Sequence, residues 1–485
     1  MTTSITTTSA FDPPGIRLGV VRGISYGLFG KPGEFVPQAR ALGAGLIRAY
    51  LYWGQLEPEP GRYRWEAADA LLGQLTGDEE VWITLCSSSP WGTRVSTDFQ
   101  PQSPAHDQRA YGEFVRRVVR HCGGRVRYWQ CNNEPSNTGL LWAGTAAEYV
   151  AQLAIFYRAV KDADPAAAVV LGGCGYDVFS SEPGSPARQF FGHLAGAGRD
   201  AFDLFSVHLY GDPASVPDYL GTARQFMTAR GYLKPVIVGE HAGPQPFEFP
   251  DATAVMQQVF AAAFAEAPPS QSTGELAARA RQDTPERRAM TALYAQMDSL
   301  PPTLQMFMAG APAGLEARRQ RIACRQLVMR TLLALAGGVH RTAYWNLAPE
   351  YPGPVDHLQM MHLMIGKLPL LGYEGGDLGC RQPAADTFAL LASELAGARS
   401  VTRAQASGRP ALHAFEVDRA GRGPLLVLWD HRDAFGGEDE PPVTVSWPWP
   451  AATATVTDAF GRSRTVESSG GELRLPVSDT PVFVA

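Results

Sequence analysis

Short apolar segments alternate with longer amphipathic segments from residue 17 to about residue 398, and this alternation is what most constrains the fold. The apolar segments have the length and composition of buried strands, whereas those between them have helical spacing. Parallel strands require long crossovers, usually helices, which explains the alternation. The eight predicted strands are 18–25, 45–50, 81–86, 126–131, 168–172, 204–208, 235–239 and 341–345. Eight strand–helix units favour a closed (β/α)8 TIM barrel of the α/β class over an open sheet.

The predicted domain organisation is a flexible N-terminus (1–16), the barrel (17–398) and a C-terminal domain (399–485). After residue 398, short β-type segments alternate with Gly, Pro and Asp turns, which predicts an antiparallel β-sandwich. An insertion at about 244–315 follows the seventh strand, with helical patterning at 252–265 and 286–299. Its methionines are typical of a lid or wall over the barrel mouth, of ordinary packing, or of an oligomer contact, and the sequence leaves these open. They are Met256, Met290, Met297, Met306 and Met308.

The charge distribution excludes several classes of partner. The chain has 42 Lys and Arg against 48 Asp and Glu, a net charge of −6, and no basic run that could follow phosphates. We therefore expect neither a nucleic-acid nor an anionic-membrane partner. No signal-peptide pattern begins the sequence and no 18-residue apolar stretch occurs, so we expect a cytoplasmic protein. The six cysteines form no Cys-x-x-Cys pair, which is typical of reduced packing residues.

Two predicted strand ends carry a glutamate. Glu134 follows the fourth strand, in Asn132-Asn133-Glu134-Pro135, and Glu240 ends the seventh. Barrel active sites lie at the carboxyl ends of the strands, and strands four and seven are roughly opposite, so both carboxylates can face one pocket. Glycoside hydrolysis needs such a pair. One carboxyl protonates the leaving oxygen while the other attacks the anomeric carbon or activates water, and a separation of about 5 Å gives retention of configuration.

Several segments resemble the clan A glycoside hydrolases, which are retaining enzymes on a (β/α)8 barrel. The segments are Asn133-Glu134-Pro135, Glu240, Ile47-Arg48-Ala49-Tyr50-Leu51-Tyr52-Trp53, Ser89-Pro90-Trp91 and His208-Leu209-Tyr210. The stretches 456–461 and 478–482 are similar to the β-sandwich appended to family 39 and its neighbours. Asn132 stands where many relatives have Trp. The resemblance implies a retaining glycosidase that cleaves a β-linked glycoside or oligosaccharide by double displacement.

The resemblance also implies roles for individual residues. Glu134 would be the general acid/base, Glu240 the nucleophile, and Asn133 a hydrogen-bond partner of the sugar 2-hydroxyl. Arg48 and the Tyr210 hydroxyl would favour the ionised nucleophile, whereas an apolar setting would keep the acid protonated. His208 would orient the sugar or the nucleophile.

Tryptophans at strand ends supply aromatic faces that can stack on a sugar ring. We expect this of Trp53, Trp91 and above all Trp345, which ends the eighth strand and resembles the sugar platform of the clan. Trp142 also follows a strand end, but it begins a helical segment, which favours packing.

The histidines are dispersed, with neither His-x-His nor His-Glu-x-x-His, so we expect no metal site and no cofactor. Two alternatives to hydrolysis remain. The same two glutamates could transfer a glycosyl unit to an acceptor other than water, as a transglycosylase does, or the barrel could bind carbohydrate without catalysis.

Overall fold

The computed structural model describes residues 15–23, 26–28, 35–263, 271–279, 282–350, 356–405 and 409–485. The predicted flexible N-terminus falls almost entirely outside these residues. Among the described helices, none combines the length and the apolar character that crossing a membrane requires.

Eight parallel strands form the N-terminal sheet, in the order β5-β4-β3-β2-β1-β8-β7-β6. Two isolated parallel bridges, Val170 to Leu204 and Cys174 to Val207, join β5 to β6 and nearly close the ring. The TIM barrel is therefore confirmed. Its strands are β1 (Arg17–Val21), β2 (Leu46–Tyr52), β3 (Glu80–Cys86), β4 (Tyr128–Cys131), β5 (Ala168–Val170), β6 (Phe205–Leu209), β7 (Val236–His241) and β8 (Arg341–Tyr344).

Helices connect these strands and cover the outside of the barrel. The cap of α4 is typical: the Asp107 side chain accepts from two backbone N–H groups of the first turn, and Gly123 ends the helix with φ 57°. The helices up to β7 are α1 (Phe35–Ala41), α2 (Trp53–Leu56), α3 (Glu66–Leu72), α4 (Gln108–Cys122), α5 (Ala146–Ala163), α6 (Tyr176–Phe179), α7 (Pro186–Ala197) and α8 (Val216–Thr228).

The observed β7 extends two residues beyond its predicted end. Glu240 and His241 pair with His208 and Leu209 of β6, after a register shift at Val207. Pairing with β6 thus extends β7 through Glu240. The Glu240 side chain therefore lies on a strand rather than on a loop.

The insertion after β7 has its own apolar cluster. Met256, Met290, Met306 and Met308 are buried there, against Ile322 of the long helix that follows. These methionines therefore pack within the insertion. The remaining helices are α9 (Pro250–Ala263), α10 (Thr273–Arg279), α11 (Pro285–Ala295), α12 (Pro302–Gln305), α13 (Ala313–Ala336), α14 (Met360–Ile365) and α15 (Pro383–Glu394). Residues 264–265 of the first predicted helix lie outside the described ranges.

A hairpin, β9 (Leu371–Glu374) and β10 (Asp377–Arg381), precedes α15. Two antiparallel sheets then pack face to face around an apolar core of their own, which confirms the β-sandwich. The six-stranded sheet has the order β11-β12-β13-β18-β15-β16, and β14 pairs with β17. These strands are β11 (Ala398–Ala404), β12 (Leu412–Arg419), β13 (Leu425–Asp430), β14 (Val443–Pro448), β15 (Thr453–Asp458), β16 (Ser463–Glu467), β17 (Glu472–Val477) and β18 (Val482–Val484).

Candidate active site

Arg48, on β2, is fully buried and joins several elements at the barrel mouth. Its guanidinium donates to Glu240 Oε1 at 2.7 Å and to Asn133 Oδ1 at 2.9 Å. It also donates to the Gly239 carbonyl at 2.8 Å and packs over the Trp82 ring. A buried cation needs such compensating partners. Arg48 thereby fixes β7 and the turn after β4 relative to β2.

Glu240 lies in β7 and is nearly inaccessible to solvent. The Tyr50 hydroxyl donates to Oε1 at 2.6 Å and the Tyr210 hydroxyl to Oε2 at 2.7 Å. Burial by itself raises the pKa of this carboxyl, but the charges of His208 and Arg48 and the two hydroxyls outweigh burial and bring the pKa below its ordinary value. Glu240 is therefore a carboxylate at neutral pH.

Glu134 lies in the turn after β4, and the surroundings of its carboxyl have the opposite effect on its pKa. Oε1 lies 2.5 Å from Nδ1 of His208. Burial raises the pKa of Glu134 above its ordinary value, the contact with His208 opposes the rise, and the negative charges of Glu240 and Asp177 add to it. Glu134 therefore keeps its proton to a higher pH than Glu240 does.

The turn that carries Glu134 has an unusual backbone. Asn132 and Glu134 have φ values of 56° and 40°, in the left-handed region that costs a residue other than Gly roughly 1–2 kcal/mol. Two hydrogen bonds hold the turn: Asn132 Oδ1 accepts from the Ser87 N–H at 2.7 Å, and the Asn132 carbonyl accepts from Gln130 Nε2 at 2.7 Å. A short polar Asn tolerates this conformation.

Asn133 is oriented by two donors. Its Oδ1 accepts from Arg48 and, at 3.2 Å, from Gln130 Nε2. Because both partners are donors, the amide must turn its oxygen towards them. The Nδ2 group is consequently the part of Asn133 that can donate to a ligand hydroxyl.

One carboxylate oxygen of Glu134, one of Glu240 and a ring nitrogen of His208 lie within 4.8 Å of one another. Retaining glycosidases have carboxyls about 5–5.5 Å apart, and inverting ones about 6.5–9.5 Å. Three such atoms could also hold a metal ion, but a cation at Glu240 would compete with Arg48, which already occupies Oε1 at 2.7 Å. The donor set thus suits proton transfer and nucleophilic attack better than metal binding.

The sequence reasoning missed two residues of this site, Tyr50 and Asp177. Tyr50 lies two residues after Arg48 on β2, and the period of two in strands could have placed both on the inner face. Asp177, in α6, faces Glu134 across Gly175, where a Cβ would lie 2.9 Å from Glu134 Cδ. No local signal marks Asp177, since only the fold brings the segment after β5 to Glu134.

The tryptophans separate into different roles. Trp53 is fully buried, stacks on Phe114 and donates its ring N–H to Glu57, so the expected sugar stacking by Trp53 is wrong. Trp142 is likewise buried, edge-on to Tyr149. Both rings pack between the barrel and its outer helices.

Trp345 is also buried but has different neighbours, whereas Trp91 is partly exposed. Trp91 is half-buried and donates its ring N–H to the Glu57 carbonyl, and its sugar contact stays a prediction. Trp345 follows β8 edge-on to Tyr50, with ring centroids 6.2 Å apart, and Tyr50 in turn contacts Glu240. Trp345 therefore stands beside the paired carboxylates.

A comparison with protein-family models finds no match, and neither does a comparison with curated protein sequences. Solved structures do match the whole chain. A family 39 glycoside hydrolase from Bacteroides cellulosilyticus WH2 has a TM-score of 0.62 and 14% identity, covering 99% of this chain and 82% of that one. A monomeric beta-xylosidase from Caulobacter crescentus CB15 has a TM-score of 0.60 and 13% identity, covering 98% and 97%.

A family 51 alpha-L-arabinofuranosidase from Bifidobacterium longum also matches, with a TM-score of 0.54, 12% identity, and 99% and 97% coverage. At these sequence identities the similarity shows the fold alone. This chain therefore has the fold of the clan A glycoside hydrolases, a (β/α)8 barrel followed by a β-sandwich.

Proposed function

We propose that the protein is a retaining glycoside hydrolase acting on a β-linked glycoside, with Glu240 as nucleophile and Glu134 as general acid/base. One observation carries the proposal: two carboxyls have oxygens within 4.8 Å of each other, while their pKa values are displaced in opposite directions. Paired carboxyls whose environments separate their pKa values supply one ionised and one protonated group at the same pH.

In the first half of the reaction, Glu240 attacks the anomeric carbon and Glu134 gives its proton to the departing glycosidic oxygen. Arg48, Tyr50 and Tyr210 keep the attacking carboxylate ionised and hold its orientation. Burial raises the pKa values of both tyrosines, so their hydroxyls stay protonated as donors. The product of this half is a glycosyl ester on Glu240.

In the second half, Glu134 is ionised and removes a proton from the water that attacks the glycosyl ester. This attack releases the sugar with its original configuration. The contact with His208 Nδ1 holds Oε1 of Glu134 throughout. Oε2 is then the oxygen that carries the transferred proton. The Nδ2 group of Asn133 donates to the sugar 2-hydroxyl.

The choice of first substrates follows the solved structures that share the fold, two of which are named beta-xylosidases from Caulobacter crescentus. We infer that a β-xyloside is the first sugar to test, beside β-glucoside and α-L-arabinofuranoside, each as the 4-nitrophenyl glycoside.

The test of the nucleophile is Glu240→Ala. Turnover should vanish at every pH, and added azide should restore product with inverted configuration, because azide enters where the carboxylate stood. Glu66→Ala, exposed in the first turn of α3, is the matched control and should keep wild-type rates. Wild-type turnover in Glu240→Ala would rule out the assignment.

The test of the acid/base is Glu134→Ala with two leaving groups. Loss of a general acid costs about 10²–10⁴-fold for leaving groups that need protonation, and far less for 2,4-dinitrophenolate, which leaves unaided. Equal losses for both leaving groups would contradict the role of Glu134.

A further inference from the structure

A second buried arginine, Arg330 on α13, has no part in the reaction described above. It is 1% exposed. Its guanidinium donates to Gln326 Oε1 at 2.9 Å, to Glu248 Oε1 at 2.9 Å and to the backbone carbonyl of Gly211. Burying an ion pair is costly, and apolar side chains of similar volume often stabilise a fold equally well. Stability alone therefore gives little reason for a charge at this place.

The side chains of Arg330, Glu248 and Gln326 form a closed ring of hydrogen bonds. Gln326 precedes Arg330 by four residues on α13, so both side chains lie on one face of the helix. Gln326 Nε2 donates to Glu248 Oε2 at 2.7 Å, and Arg330 donates to both of the other members. The Glu248 side chain is itself buried, and its Oε1 also accepts from the Gln245 N–H at 3.1 Å. Each member thus fixes the orientation of the other two.

The guanidinium contacts the two chain segments that follow Tyr210 and Glu240. Gly211, whose carbonyl accepts from Arg330, is the residue directly after Tyr210. Gly243 lies three residues after Glu240, and a Cβ at this position would come within 2.3 Å of Arg330 Nη1. Because Gly243 has no side chain, its backbone packs directly on the guanidinium. One buried cation therefore holds the ends of β6 and β7 relative to each other.

Gly211 is held from two sides. Its φ of 84° lies in the region that favours glycine, and a Cβ there would come within 2.8 Å of the Tyr176 ring. Arg330 holds the same residue through its carbonyl. The position of Gly211 determines where the Tyr210 side chain starts, and the Tyr210 hydroxyl lies 2.7 Å from Glu240 Oε2. A hydrogen bond of this kind weakens steeply when its donor is displaced or misaligned.

We propose, resting on the glycosidase function above, that Arg330 positions the Tyr210 hydroxyl on Glu240. Arg330 is then a positioning residue, because it acts through the Gly211 carbonyl and not on the sugar. Glu248 serves the same purpose by fixing the guanidinium. The nucleophile thus depends on a charge carried by an outer helix of the barrel.

The variant Arg330→Lys tests this role. Lysine keeps the positive charge but lacks the planar fork, so it cannot donate to all three acceptors at once. We expect kcat/KM for 4-nitrophenyl glycosides to fall about tenfold, with the loss carried by kcat. The acidic limb of the kcat/KM profile should move to higher pH, because Glu240 loses the hydroxyl that lowers its pKa.

A double-mutant cycle with Tyr210→Phe separates positioning from a general effect on the fold. Once the hydroxyl is absent, Arg330→Lys has no hydrogen bond to misplace, so its loss should shrink to less than about twofold. Glu248→Gln keeps the side-chain volume and removes the charge that fixes the guanidinium. It should show the same dependence on Tyr210, and it carries the test if Arg330→Lys does not fold.

The matched control is Arg419→Lys. Arg419, on β12 of the C-terminal domain, is also buried and pairs with Glu394 at 3.1 Å. This variant should lower Tm while kcat/KM and the acidic limb stay at their wild-type values.

Equal losses for Arg330→Lys in the presence and absence of the Tyr210 hydroxyl would overturn this inference while leaving the glycosidase function intact. An unmoved acidic limb, or wild-type rates in folded Arg330→Lys and Glu248→Gln, would overturn it in the same way. Failure of the wild type to hydrolyse any aryl glycoside would remove the proposed function, and this inference with it.

Discussion

Individual charges and hydrogen bonds set the difference in pKa between the two carboxyls. Glu240 receives three donors from β2 and the end of β6, whereas Glu134 has one described side-chain contact, with His208. Charge-assisted hydrogen bonds to a carboxylate stabilise the ionised form and lower its pKa. The roles proposed for the two residues thus depend on groups that never contact the scissile bond.

Tyr210→Phe tests this dependence. Loss of a hydrogen bond to a charged group costs about 1.5–3 kcal/mol, so kcat/KM should fall roughly 10- to 100-fold. Without the hydroxyl the pKa of Glu240 rises, and the acidic limb of the kcat/KM profile moves to higher pH. Tyr128→Phe is the control, because its hydroxyl donates to Glu80 at the opposite end of the barrel. An acidic limb that stays in place would contradict the role of Tyr210.

At the scale of elements, the segment after β5 makes room for the acid/base. A Cβ on Gly173 would lie 2.2 Å from Nε2 of His208, and one on Gly175 would lie 2.9 Å from Glu134 Cδ. Glycine allows the backbone of this segment to approach both side chains. Its close packing fixes the His208 ring against Glu134.

We expect Gly173→Ala to displace His208 and to reduce kcat for unactivated substrates by about 100-fold, the usual effect of a misplaced catalytic group. Because the His208 contact lowers the pKa of Glu134, its loss should move the basic limb of the rate profile to higher pH. Gly221→Ala in α8 has open space around the added methyl and should keep full activity, with a gain of about 0.5–1 kcal/mol in stability. Equal rates for both variants would contradict this account.

At the scale of the whole molecule, one glutamate of the C-terminal domain joins the sandwich to the barrel. Glu438 accepts from Arg321 at 2.6 Å and Arg325 at 2.8 Å and pairs with Arg318 at 2.9 Å, all three on α13. Burial raises the pKa of Glu438, but the guanidinium groups outweigh burial and lower it to about 2. Arg325 also pairs with Asp479 at 3.1 Å.

The folded protein therefore holds Glu438 ionised where the unfolded chain, with an ordinary pKa of 4.5, binds a proton. Its contribution to stability is complete above pH 4.5 and is lost as the pH falls towards 2. Glu438→Gln should cost about 1.5–3 kcal/mol at neutral pH and flatten the fall of Tm in acid. Glu467→Gln, exposed on β16, is the control, and parallel Tm–pH curves for wild type and Glu438→Gln would contradict the prediction.

The sequence alone determined the barrel and the positions of Glu134 and Glu240 at strand ends, because apolar period, segment length and turn residues are local properties. It also indicated Arg48, which lies within β2, and Tyr210, which follows β6. These signals need no knowledge of which strands are neighbours.

Only the tertiary structure decided that His208 contacts Glu134, that Tyr50 contacts Glu240, that Trp53 packs on α4 and that Arg330 contacts Gly211. Tyr50 and Glu240 are 190 residues apart, and Arg330 and Gly211 are 119 apart. Such contacts depend on the register between distant strands and on the path of long loops. The physical reason is that a local pattern indicates which side of a helix or strand is buried, whereas closure of the barrel determines which residues that side contacts.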